Sequence, residues 1–184
     1  MNITKTTSSY RFQLIKSAYK KWLKQGDRVL DIGCGNGIIT KLLIDNFSLE
    51  MIACDVNNYL IYNLPFIKIE NGKIPKFKKR FNAALLNDVL HHIPKEDQEK
   101  LILQSIQIAK KVMIFEFKPT MLGKLADIIL NKFHYGTLNT PLTLRNIKEW
   151  QGLFKKLQLT YQVVEVKRPF WYPFSHIAFL LERK

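Results

Sequence analysis

Two groups of residues in this 184-residue chain have the types and spacing to do chemistry. The first is Asp31 followed by Gly33, Gly35 and Gly37, with Cys34 inside the run. Glycine has no Cβ, so such a run can take positive φ and let main-chain N–H groups touch a bound molecule. The second is the adjacent pair His91 and His92. An ordinary imidazole, with a pKa of roughly 6.5, is mostly neutral at pH 7 and can accept a proton.

The flanking residues say what must position these groups. Val29 and Leu30 lead into Asp31, and Ile38 to Ile44 follow Gly37, which reads as buried strand, glycine loop and helix. That unit places a nucleotide-type ligand at the carboxyl end of a parallel sheet. The spacing narrows the choice. A dinucleotide loop needs G-x-G-x-x-G, but Ile38 occupies the third glycine position. A phosphate-binding loop would end Gly-Lys-Ser/Thr, and Gly37 is followed by Ile38 and Ile39. An opening helix is expected over Ser9 to about Lys24, within an N-terminal element 1–25. Its Phe12, Ile15, Tyr19 and Trp22 fall on one stripe. Strands alternate with helices up to Glu116, which predicts a parallel sheet covered on both faces. Pro94, Glu96 and Asp97 mark the start of a helix reaching about Lys110. A later helix is expected from Leu144 to about Leu157, then strands near 159–166 and 176–181.

The segment D-x-G-x-G-x-G resembles motif I of the class I S-adenosylmethionine-dependent methyltransferases, in the branch acting on small molecules and lipids. The likeness continues through Met51–Val56, Phe66–Pro75, Phe81–Pro94 and Lys111–Phe117, about residues 26–117 in all. It implies one α/β domain over 1–184, a Rossmann-like doubly wound sheet of seven strands. The sheet would be mostly parallel, with an antiparallel C-terminal edge hairpin. It also implies S-adenosylmethionine as cofactor, held by Asp31, Gly33, Cys34, Gly35 and Gly37 of the loop. Asp55, followed by Val56, would take the ribose hydroxyls, since a carboxylate can accept from both at once. Asn71 and Gly72 would face the adenine, Asn71 standing where the family usually has Asp. Asn87 and Asp88 end the fourth strand before His91 and His92, and Asn82 shapes the turn into that strand. The two histidines are the candidate catalytic groups, because that strand end faces the transferred methyl in the family. Residues 118–141 are expected to cover the acceptor, with His134 or Tyr135 pointing inward; a surface helix packed on the sheet is the alternative. His176 is expected to be structural.

Composition bounds the remainder. At 47% hydrophobic the chain can bury a core without disulfides or metal. Cys34 and Cys54 lack metal-site spacing, so no metal is expected. No apolar secretory core follows Met1 and no uncharged 18-residue apolar stretch occurs, which suggests a cytoplasmic protein. The net charge of +14 would attract nucleic acid, anionic membrane or an acidic substrate. A lysine-faced opening helix carrying Phe12, Tyr19 and Trp22, and the cluster Phe170–Phe174, suggest peripheral contact with the inner membrane face. Core packing is the alternative for both. RNA is less favoured, because the fourth strand ends Asn87-Asp-Val-Leu90 rather than in the Asn/Asp-Pro-Pro-Tyr/Phe of amino-methylating nucleic-acid enzymes. A small-molecule or lipid-like acceptor is therefore expected. RNA or protein methylation, or a non-catalytic cofactor-binding regulator, are the alternatives.

Overall fold

The computed structural model describes residues 3–70, 72–135, 142–169 and 172–184, without the side chains of 3–6 and 130–135. The apolar run before Asp31 forms β1 (Arg28–Ile32), buried on both faces after its first residue. The other elements follow in the order α1 (Ile3–Tyr19), α2 (Ile38–Phe47), β2 (Glu50–Asp55), β3 (Phe66–Lys68), β4 (Phe81–Asn87), α3 (Lys95–Ile108), β5 (Ala109–Phe117), α4 (Met121–Tyr135), α5 (Ile147–Lys156), β6 (Leu159–Glu165) and β7 (His176–Arg183), with α1 preceding β1.

The seven strands lie in the order β3-β2-β1-β4-β5-β7-β6. All pairs are parallel except β5–β7 and β6–β7, so the expected mixed sheet with an antiparallel C-terminal edge is present. The winding reverses between β1 and β4, which is where ligands sit in doubly wound sheets. Asp31 is in register with Ala53 on β2 and Leu85 on β4, so it stands at that crevice. One face of the sheet packs with Trp150, Leu153 and Phe154 of α5 and Leu101, Ile102 and Ile106 of α3. The other packs with Phe12, Ile15 and Tyr19 of α1 and Leu43 of α2.

The first helix differs from expectation in bounds and in role. It starts at Ile3 and stops at Tyr19, and Trp22 follows in a turn closed by its N–H donating to the Tyr19 carbonyl. Phe12, Ile15, Tyr19 and Trp22 are all buried, and Tyr19 meets Phe115 of β5 edge-on. The apolar stripe therefore serves the core, and those aromatics are not presented to a membrane. Tyr172 and Phe174 of the C-terminal aromatic cluster are buried too, while Phe170 and Trp171 lie outside the described residues.

Two local details also depart from the sequence reading. The fifth helix begins at Ile147 rather than Leu144 because Asn146 caps it. The Asn146 side chain accepts from the Glu149 N–H at 3.0 Å, and Glu149 returns the bond at 2.8 Å. Asn82 does not shape a turn; its Oδ1 accepts from the Arg28 N–H at 2.9 Å, tying the start of β4 to the start of β1.

Candidate active site

The glycine loop leaves β1 with Gly33 at φ +77, a region that side chains rarely adopt. A Cβ there would also lie 2.3 Å from Val89 Cγ2, so the loop after β1 touches the loop after β4 only because residue 33 has no side chain. Gly35 donates its N–H to Asp55 Oδ2 at 2.8 Å, and Val56 donates to Asp55 Oδ1 at 2.7 Å. These bonds fix the carboxylate at the tip of β2, beside the glycines. Asp31 is buried and accepts from the Thr40 hydroxyl at 2.6 Å. Burial drives its pKa up to about 6; the Thr40 bond opposes this and the nearby Asp55 charge adds to it. Among the described residues Asp31 has no ion-pair partner.

The second loop follows β4. Tyr19 donates its hydroxyl to Asn87 Oδ1 at 2.7 Å, and Asp88 takes a left-handed φ of 50 while its N–H donates to the Phe115 carbonyl at 2.7 Å. The Asp88 carboxylate lies 3.3 Å from Arg11 Nε and 3.3 Å from His176 Nε2. Burial would raise its pKa, but Arg11, His176 and His91 outweigh it and hold the group well below the usual carboxylate range. Next comes the 3-10 turn Leu90–His92. His91 is buried with Nδ1 2.6 Å from Glu116 Oε2 on β5, and Glu116 Oε1 accepts from the Val89 and Leu90 N–H groups at 3.0 and 2.7 Å.

These surroundings separate the two imidazoles. For His91, burial favours the neutral form but the adjacent Glu116 carboxylate prevails, and the pKa rises to about 10. His91 is thus a cation at neutral pH, not the neutral proton acceptor that an unperturbed histidine would be. For His92, burial and then the charge of His91 push the pKa down to about 4. It stays neutral, and its Nδ1 is buried with no hydrogen-bond partner among the described residues.

One cavity of ≈440 Å³ joins the two loops, within the roughly 300–1,000 Å³ range of small-molecule sites. Asp31, Gly33, Cys34, Gly35, Asp55 and Val56 line one part, and Asn87, Asp88, His91 and His92 another. Gly37 and Gly72 are not on its wall. Gly37 caps α2, and a Cβ there would meet Leu60. Gly72 closes a turn at φ +66 in open space. Asn71 lies outside the described residues, as do the side chains of His134 and Tyr135. The segment after β5 is helical as α4, and it contributes Asp127 to the cavity. Arg11, Glu116 and Asp127 are residues of this region that the sequence did not single out, and His176, expected to be structural, also lines the cavity beside Asp88. A signal existed for Glu116, a charged residue inside the otherwise apolar run Val112–Phe117. None existed for Arg11, which looks like one more surface cation.

The model of the methyltransferase domain matches residues 8–164. The chain belongs to that family. The fold of this methyltransferase is shared with solved structures of low sequence identity. One is the PH0226 protein of Pyrococcus horikoshii OT3, at 16% identity and TM-score 0.71, covering 96% of this chain and 91% of that one. Another is the magnesium protoporphyrin IX methyltransferase of Synechocystis PCC 6803 with bound SAH, at 16% identity and TM-score 0.64, covering 98% and 83%. A third is the plantazolicin methyltransferase BpumL in complex with a triazolic desmethylPZN analog and SAH, at 15% identity and TM-score 0.69, covering 100% and 87%. No curated protein matches the methyltransferase in sequence. S-adenosylmethionine as the cofactor follows from the family. No helix among the described residues is long and apolar enough to cross a membrane.

Proposed function

We propose that this methyltransferase transfers a methyl group from S-adenosylmethionine to a small-molecule or lipid-like acceptor bound in the ≈440 Å³ cavity. The continuity of that cavity, from Asp31 and Asp55 to His91 and His92, carries the reading: donor and acceptor can meet inside it. The cofactor supplies an activated methyl carbon, so the protein's task is alignment. Holding two reactants in line is worth roughly 7–11 kcal/mol at best geometry.

Each residue has a role in this scheme. Asp55, fixed by Gly35 and Val56, keeps lone pairs for the ribose hydroxyls. Asp31 is a buried carboxylate without an ion-pair partner among the described residues, and a positively charged ligand relieves it. Gly33 lets the ligand approach the backbone. Tyr19 orients Asn87, and Arg11 with His176 sets Asp88 at the β4 end. Glu116 locks the ring of His91. Of the histidine pair, His92 is the ring held neutral, and both rings stand at the acceptor end of the cavity. Phe117 and Phe174 supply apolar wall at that end.

Two buried aromatics lining a concave pocket favour a compact acceptor over a nucleic-acid strand, which is bound along open, basic surfaces. The plantazolicin and magnesium protoporphyrin IX methyltransferases, named for small molecules, are consistent with this reading. The test is incubation with methyl-labelled S-adenosylmethionine and cell extract, followed by partition of the label. Label in the small-molecule or organic fraction is expected. Label in RNA or protein would overturn the acceptor class.

A further inference from the structure

At the acceptor end of the cavity, one nitrogen of His91, one of His92 and one carboxylate oxygen of Asp127 lie within 4.8 Å of one another. Among the described residues, His91 Nε2 and His92 Nδ1 are both buried without a hydrogen-bond partner. Leaving such atoms unpaired costs free energy, and two of them beside one carboxylate ask for a common occupant. His91 Nε2 stands 3.7 Å from Asp127 Oδ1. That is too long for a hydrogen bond, yet close to the ~3.4 Å that separates two ligands about 2.0–2.2 Å from a tetrahedral ion.

The far side of His91 is built to match. Its Nδ1 lies 2.6 Å from Glu116 Oε2, and Glu116 is anchored by two backbone N–H groups. A carboxylate behind an imidazole fixes the tautomer and turns the other nitrogen toward a metal. The second acidic cluster nearby, Asp88 with His91 and Glu116, is a poorer candidate. Asp88 is already paired with Arg11 and His176, and Glu116 is committed to the backbone.

We propose that His91, His92 and Asp127 bind one divalent transition-metal ion of the zinc type, with Glu116 as the outer partner orienting His91. Two imidazoles and one carboxylate suit such an ion, whereas magnesium and calcium prefer all-oxygen sites. The ion replaces the proton on His91 Nε2, which leaves to solvent, while Nδ1–H stays on Glu116. With three protein ligands, a fourth position stays open to the cavity, as in metal sites that act on a substrate. That position takes an oxygen of the acceptor, and this last step alone rests on the methyl-transfer reading.

Titration of the full chain with Co²⁺, read by its visible absorption, and equilibrium dialysis with Zn²⁺ test the site. One ion per chain is expected. His92→Ala and Asp127→Asn, each verified as folded by near-ultraviolet circular dichroism, should bind at least tenfold more weakly. Glu116→Gln should cost about 10–100-fold, as outer partners of metal sites do. Asp55→Ala should keep the ion while losing S-adenosylhomocysteine, so failure of the methyl-transfer reading is distinguishable from failure of the metal site. No ion retained by the wild type, or retention unchanged in both His92→Ala and Asp127→Asn, would overturn the proposal.

Discussion

Asp31→Asn should make the protein more stable and a poorer binder of its cofactor. The buried carboxylate has its pKa raised from 3.8 to about 6, chiefly by burial. A shift of that size corresponds to about 3 kcal/mol of linkage energy. The sign follows from proton counting. Between pH 6 and pH 4 the folded state binds more protons at this site than the unfolded state, so the contribution is fully present below the unfolded pKa. It is lost as pH rises through 6. Asparagine keeps an acceptor for the Thr40 hydroxyl but carries no charge. The stability difference between variant and wild type should therefore widen with pH, by about 1.4 kcal/mol between pH 5 and pH 8. Urea denaturation of both proteins across that range reads it, and other titrating groups cancel in the difference. In parallel, calorimetry at pH 8 should show weaker S-adenosylhomocysteine binding, because the variant lacks the buried negative charge that a positively charged ligand would relieve. A difference independent of pH, or a variant less stable than wild type at pH 8, would refute the view that Asp31 is held at a cost.

The other expectations concern the same loops. Asp55→Ala should weaken S-adenosylhomocysteine at least tenfold in calorimetry, since a hydrogen bond to a charged group is worth about 1.5–3 kcal/mol. Tyr19→Phe deletes the 2.7 Å bond to Asn87 and leaves its carbonyl unpaired, which should cost about 1–3 kcal/mol in chemical denaturation. Gly33→Ala meets both a positive φ and the Val89 methyl, so a lower melting temperature and loss of cofactor binding should appear together in thermal-shift assays.

The sheet was legible because its strands are continuous apolar runs, and such runs are diagnostic when both faces are covered. The glycine loop was legible for a similar reason: its spacing is a backbone requirement written in residue types. The acceptor end was not. Glu116, Asp127 and His176 stand on three different elements and converge only after the sheet is wound, so no local spacing announces them. The environment then inverted the ordinary chemistry of the histidine pair, since a carboxylate at 2.6 Å decides the charge of His91 and that charge helps decide His92. The first helix misled by composition. Its lysines and aromatics suit an interface, yet the aromatics are the part that packs on the sheet.

The Asp88 carboxylate is clasped by Arg11 from the first helix and His176 from the last strand. During synthesis the glycine loop and its strands leave the ribosome long before residue 176 does. A nascent chain can thus assemble the parallel half of the sheet while Asp88 still lacks one of its two partners. Domains acquire structure as they emerge, and sites that join early and late segments mature last. The pocket is therefore complete only once β7 has joined the sheet, after the glycine loop and its strands are in place.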